Sequence, residues 1–192
     1  DGKVRLTFPQ PWLWSPENPN LYRFSVISDE DRVESYFALR TLTVRSVNGI
    51  SRLCLNGKPY FFNGLLDQGY WSDGLYTPAC PQNFEQDILS MKALGFNMLR
   101  KHIKIEPELF YYACDRLGMI VFQDMVNNGD YKYTRDTVLP TLHFQRRNDR
   151  HIHRNPDARK EFLEAMKGTV AALENHPCIC LWTIFNEGWG QF

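Results

Sequence analysis

The chain has 192 residues, 43% hydrophobic and 14% aromatic, enough for one sizeable core or for one core plus part of another. Its 22 Lys and Arg balance 22 Asp and Glu, so no bulk field recruits nucleic acid or an anionic membrane. No run is long and apolar enough for a membrane span and no signal peptide is legible, which leaves the compartment of a soluble protein open between cytoplasmic and secreted or periplasmic.

Residues 1–47 read as β structure. Val4–Phe8 alternates, and Tyr22–Ile27 and Ser35–Leu39 are further short strands between polar turns. Pro9, Pro11, Pro16 and Pro19 keep the intervening segment extended and out of any helix. Three or four strands of this length cannot close a sandwich by themselves. Residues 42–50 read as a crossing into the next unit. A hairpin then follows, with Leu53–Leu55 and Tyr60–Phe62 flanking Asn56-Gly57, a dipeptide suited to the positive φ angles of a type I′ turn.

From there the pattern is βα, repeated. Asn83 is placed to cap a helix with Gln86 three residues on; Phe84, Ile88 and Met91 share its apolar face and Gly95 ends it. Phe96–Arg100 is a strand. Pro107 is expected at the first position of the next helix, whose Phe110, Ala113, Cys114 and Leu117 fall on one face before Gly118 stops it. Met119–Phe122 is the next strand, closing at Gln123-Asp124. Asn155-Pro156 starts a third helix with Phe162, Ala165, Met166, Thr169 and Leu173 inward. Helices of this length between strands specify parallel pairing with right-handed crossovers. The connection from Met125 to Asn155 exceeds the roughly 12–15 residues usual for a structureless loop and should lie on the functional face. Its basic run Arg146–Arg154 reads as a solvated loop, and His151 and His153 lack a third metal ligand at a recognised spacing. The five cysteines, odd in number and without CxxC spacing, read as buried free thiols.

Cys178–Phe185 is apolar throughout and suits a parallel strand buried on both faces. Asn186 and Glu187 follow at once. A carboxylate at the C-terminal end of such a strand is where α/β folds keep their chemistry, although Glu187 could equally cap a helix or pair with an arginine.

The stretch Trp182-Thr-Ile-Phe-Asn-Glu-Gly-Trp-Gly-Gln191, led in by Asn175-His-Pro177, resembles the acid/base signature of glycoside hydrolase family 2, the β-galactosidase, β-glucuronidase and β-mannosidase group. Leu13–Tyr22 and Phe37–Thr41 resemble the end of the immunoglobulin-like domain that precedes the barrel in that family. The resemblance implies an α/β fold in two parts. Residues 1–47 would be the C-terminal part of an immunoglobulin-like β-sandwich, and residues 48–192 the first half of a (β/α)8 TIM barrel, the hairpin flooring it and the first barrel strand running from about Tyr60 to Leu66. A full barrel needs about 250 residues, so the chain reads as a fragment. Made alone, it is expected to dimerise, swap or aggregate through its uncovered edges.

By the same resemblance, Glu187 is the general acid/base and Asn186 holds the sugar 2-hydroxyl. Arg100 supports the charged floor of the site, with an ion pair to Asp124 as its structural role. His102, Asp67 and Trp189 are further substrate-binding candidates, Trp189 as a subsite wall and the Asp67–Trp71 segment as polar and aromatic lining; mid-strand Trp182 reads as core. The family nucleophile is a glutamate at the end of strand seven, outside this chain, so these residues alone are expected to be inactive. Arg100-Lys-His-Ile-Lys104 and Asp67-Gln-Gly-Tyr-Trp71 depart from the segments found in β-galactosidases, which puts galactose specificity in question. The expected activity is that of a retaining, exo-acting β-glycosidase, β-galactosidase-like, with a carbohydrate substrate, no cofactor and no metal, and a homo-oligomer compatible with it. The competing readings are a non-catalytic barrel of the same fold that binds carbohydrate or a partner, and a metal-dependent hydrolase on another α/β barrel.

Overall fold

The computed structural model describes residues 3–127, 132–143 and 155–186. Strands β1 (Tyr22–Ser28) and β2 (Asp31–Phe37) form an antiparallel hairpin. The alternating Val4–Phe8 segment joins no ladder, and Val4 and Leu6 stay largely exposed; alternation defines a face but supplies no partner strand. The segment after it is nevertheless anchored. Leu13 bridges Leu39, and the fully buried Trp14 donates its indole N–H to the carbonyl of Asp115 at 2.8 Å.

Residues 42–50 are not a plain crossing. Strands β3 (Leu42–Val47) and β4 (Ile50–Leu55) pair around Asn48-Gly49, both at positive φ, a second Asn-Gly turn of the kind expected at Asn56-Gly57. The turn at Asn56-Gly57 forms too, but its return strand β5 is only Lys58–Pro59, and Tyr60–Phe62 lies outside any strand. Pro59 has no N–H to extend the ladder.

The second half is a four-stranded parallel sheet in sequence order: β6 (Gly64–Asp67), β7 (Met98–Lys101), β8 (Ile120–Asp124) and β9 (Ile179–Thr183). Helix α1 (Gln82–Ala93) joins β6 to β7 and buries Phe84 and Ile88. It starts before Asn83, whose side chain donates to Asp73 instead of capping the helix. Helix α2 (Glu108–Leu117) joins β7 to β8; Pro107 keeps extended angles and so caps it rather than opening it. Gly118, at φ 75°, ends α2 in the left-handed conformation, its N–H on the Cys114 carbonyl.

Between β8 and β9 the described residues contain a π-helical turn (Thr134–Val138), a short α3 (Leu139–Thr141) and helix α4 (Pro156–Leu173). The basic run from Arg146 to Arg154, with His151 and His153, lies outside the described residues. Asn155 caps α4 as expected, its side-chain oxygen accepting from the N–H groups of Asp157 and Ala158. Ala158, Phe162 and Leu173 are buried, but Ala165 is exposed. The helical advance of about 100° per residue places Met166, not Ala165, closest to the direction of Phe162.

One apolar cluster unites both halves of the chain, running from Trp14 and Leu55 through Phe84, Ile88, Tyr111 and Met119 to Cys178 and Ile179. Trp182 packs against it, as expected of a core residue. The strand face turned away from the helices is more open. Leu66 is 55% exposed and Leu181 37%, so β9 is buried at its start and not on both faces throughout. All five cysteines are free thiols, with Cys80 exposed. Among the described residues no helix is long and apolar enough to cross a membrane.

Candidate active site

The strand register sorts the polar side chains at the C-terminal ends of the parallel sheet onto two faces. Arg100 pairs with Leu66 and Phe122, while Lys101 pairs with Asp67 and Gln123. Successive residues alternate, so Arg100, Phe122 and Asp124 share one face. Lys101, Asp67 and Gln123 share the other, towards the helices: the Lys101 ammonium lies over the Phe110 ring of α2, and Tyr111 of α2 donates to Gln123 at 2.7 Å.

On the first face Arg100 reaches Asp124 through Nε to Oδ1 and Nη2 to Oδ2, both at 2.9 Å. The same Nη2 donates to Asn186 Oδ1, also at 2.9 Å. Asp124 is fully buried and Asn186 nearly so. An Arg–carboxylate fork of this kind fixes both planes, and its cation offsets the desolvation of Asp124. It also fixes the Asn186 amide. With its oxygen accepting from Arg100, the Nδ2 hydrogens are left to donate. His102 completes the group, its Nδ1 3.4 Å from Asp124 Oδ2 and without a well-formed hydrogen bond.

Three sequence-derived candidates, Arg100, His102 and Asn186, are therefore brought together around Asp124. Asp67 stands apart. Its Oδ2 is 2.6 Å from Lys101 Nζ and its Oδ1 accepts the Gly69 N–H, so its carboxylate is committed on the helix-facing side. Glu187 and Trp189 lie outside the described residues. Among the described residues, no three His, Cys, Asp or Glu side chains are grouped to hold a metal ion.

Two buried networks support this face. Lys101 pairs with Asp67 and with Glu106 at 2.8 Å; Lys104 pairs with Glu106 at 2.9 Å and donates to the carbonyls of Gly69 and Tyr76. The second network holds the start of β9. Asp115 accepts the Cys178 N–H at 2.8 Å and the Tyr36 hydroxyl at 2.7 Å, and its Oδ2 is 2.7 Å from His176 Nδ1. Burial and the Asp115 carboxylate push the Tyr36 hydroxyl well above the usual tyrosine range. Arg40 adds two bonds to the carbonyls of Pro177 and Ile179. Within this second network His176 carried a sequence signal, in Asn175-His-Pro177.

Residues 46–191 match the TIM barrel domain of glycosyl hydrolases family 2, and residues 1–40 match a second region of the same family. The chain belongs to glycosyl hydrolase family 2. This family 2 chain is 33% identical to a β-galactosidase of Aeromonas hydrophila over 96% of its own length, but it spans only 17% of that relative. In fold it is similar to a β-galacturonidase of Eisenbergiella tayi (TM-score 0.74, 21% identity, covering 96% of this chain and 29% of the other). It is also similar to a β-glucuronidase of Bacteroides uniformis (TM-score 0.69, 22% identity, covering 93% and 19%). The parallel sheet with its helices is thus part of a TIM barrel domain, and the polar cluster sits at the C-terminal strand ends, the end that carries the chemistry in such barrels.

Proposed function

We propose that this family 2 chain carries the acid/base half of a retaining, exo-acting β-glycosidase, β-galactosidase-like in the broad sense. Residues 1–47 would be the last strands of an immunoglobulin-like sandwich, and residues 48–192 the first half of the barrel. The observation that carries the reading is the Arg100 guanidinium joined to both Asp124 and Asn186 at the strand ends, with Glu187 the next residue in the chain.

Cleavage of a glycosidic bond needs one carboxylic acid to protonate the leaving oxygen and a second carboxylate to stabilise or attack the sugar carbon, about 5–5.5 Å away in a retaining site. Glu187 takes the first role. Asn186 donates its Nδ2 hydrogens to the oxygen of the sugar 2-hydroxyl and so holds the ring beside the anomeric carbon, where hydrogen bonds to that hydroxyl contribute to transition-state binding. Arg100 keeps that amide from turning. The nucleophile would come from a part of the protein beyond these residues, so they alone would not turn over substrate. The sugar is a β-linked glycoside, with galactoside as the default and the departures at Asp67–Trp71 and Arg100–Lys104 as reason to test others.

The deciding experiment compares the full-length protein with Glu187→Gln on two aryl β-glycosides, one with a good and one with a poor leaving group. An acid/base role predicts a far larger loss on the poor leaving group and rescue by azide on the good one. Equal losses on both without rescue would make Glu187 a structural or binding residue and favour a non-catalytic, carbohydrate- or partner-binding barrel.

A further inference from the structure

We infer a second sugar-binding subsite beside the Arg100 cluster, formed by the loops that follow β6 and β7 and taking the neutral pyranose ring on the leaving-group side of the cleaved bond. The inference rests on the exo-acting reading above: with one terminal sugar at the cluster, any further ring belongs to the leaving group.

A pocket of about 200 Å³ is lined by Gln68, Tyr70, Tyr76, His102, Ile103 and Lys104. Pockets that enclose drug-sized ligands run to about 300–1,000 Å³, so this one suits a single ring. His102 is the shared wall, since the same imidazole lies 3.4 Å from Asp124, the carboxylate that Arg100 holds. Tyr70 is 72% exposed and Tyr76 56%, their rings packed edge-on at 6.1 Å. Aromatic rings at a pocket wall offer flat apolar faces to the C–H face of a pyranose, with phenolic hydroxyls at the rim. Among the described residues neither tyrosine hydroxyl nor the Gln68 amide has a hydrogen-bond partner. The buried His102 Nδ1 faces Asp124 Oδ2 at 3.4 Å, so the imidazole joins the pocket to the Arg100 cluster.

The pocket is built, not a gap between loose loops. Ile103 has φ 43°, a left-handed angle that strains a β-branched residue. It stands between His102, turned towards Asp124, and Lys104, which is buried. Lys104 spends its three N–H groups on the Gly69 and Tyr76 carbonyls and on Glu106, stapling the β6 loop to the β7 loop. Its ammonium covers one face of the Tyr76 ring at 4.3 Å, which leaves the exposure to the rest of the ring. Gly69 is required for the staple, because a Cβ there would collide with Lys104 and Glu106. With every Lys104 proton committed, this cation is not left to pair with a carboxylate, so the pocket selects a neutral sugar over a uronic acid.

The test uses the full-length protein, wild type and with the exposed side chains truncated as Tyr70→Ala and Gln68→Ala. A non-hydrolysable, S-linked β-disaccharide is titrated by calorimetry, and KM is measured for the matching O-linked disaccharide and for an aryl glycoside of its terminal sugar. Each variant should weaken disaccharide binding and raise its KM by about fivefold, with a clearly smaller effect on the aryl glycoside. Equal effects on both substrates, or undiminished disaccharide binding, would overturn the subsite, as would tighter binding of an analogue with a uronic acid as its second ring. If the wild type hydrolyses no glycoside, the proposed function fails while the calorimetric titration still decides the subsite.

Discussion

Arg100 and Asp124 meet through two parallel N–H···O bonds of 2.9 Å, and the arginine nitrogen that closes the second of them also holds Asn186. The pair thus sets the orientation of an amide on a different strand end. Arg100→Lys keeps the charge but cannot make the fork. Because the Arg100 side chain is 35% exposed, the stability cost is put at about 1–3 kcal/mol, below the range for a fully buried pair. Under the proposed function, the catalytic loss in the full-length protein should exceed the stability loss, read as a fall in kcat with a smaller change in the urea midpoint. A loss of stability with normal kcat would confine the pair to a structural role.

Asp115 serves three donors at once, and Asp115→Ala strands the Tyr36 hydroxyl, the Cys178 N–H and His176 together. The expected cost is about 3–5 kcal/mol by urea unfolding. Tyr36→Phe removes one neutral donor and should cost about 1 kcal/mol. Similar losses for the two would show that Asp115 is not the hub.

Gly118→Ala and Gly95→Ala separate backbone strain from steric contact. Both glycines have positive φ, 75° and 89°, where an L residue costs roughly 1–2 kcal/mol. A Cβ at Gly95 meets nothing within 4 Å, whereas at Gly118 it would lie 2.5 Å from the Pro16 carbonyl oxygen. Thermal unfolding should therefore show the larger drop for Gly118→Ala; equal drops would mean that the Pro16 segment gives way freely.

Asp87 is the group for a pH test. Burial, reinforced by the Asp67 charge and opposed by Lys101, raises its carboxyl above the usual aspartate value. The folded state then holds a proton that the unfolded chain releases. This contribution is fully present below the unfolded value and is lost as pH rises through the folded one. Asp87→Asn should accordingly be more stable than wild type at pH 7 and indistinguishable at pH 3 in urea melts. A stabilisation of equal size at both pH values would rule out ionisation as the cause.

Thiol chemistry should single out one cysteine. Cys80 is exposed, Cys54, Cys114 and Cys178 are buried, and burial pushes Cys180 up to about 11. Titration with an aromatic disulfide near pH 8 should modify one thiol quickly and the rest only on unfolding. Two fast thiols would contradict the packing around β9.

The βα order was legible because each helix keeps an apolar stripe with punctuation at its ends, as at Phe110–Leu117 before Gly118. The Arg100–Asp124 pair was legible too, since both residues stand in the C-terminal ends of strands that neighbour one another. The support beneath was not. Lys101, Lys104 and Glu106 carried no signal of their own in Arg100-Lys-His-Ile-Lys-Ile-Glu106, yet all three are buried. Beside their local pairing with Glu106, Lys101 reaches Asp67 34 residues away and Lys104 the Gly69 and Tyr76 carbonyls 35 and 28 away. No local pattern encodes such distant partners for a buried charge. Asp115 was hidden for the same reason, its partners being 79 and 61 positions distant.

Trp14 carries a consequence for how this polypeptide can be divided. It precedes the first hairpin, yet it has no exposed surface, lies in the same apolar cluster as α1, α2 and the parallel strands, and bonds to the backbone of α2. Its own carbonyl accepts from Asn56, and its N–H donates to Leu39. The tryptophan is thus a plug for the core shared by the parallel sheet and its helices, supplied by the preceding sequence. A graft or expression boundary drawn near residue 47 would pull that plug and open a cavity the size of an indole beneath α2. Exchange of the upstream strands between relatives should therefore succeed only where the segment around Trp14 travels with the barrel it seals.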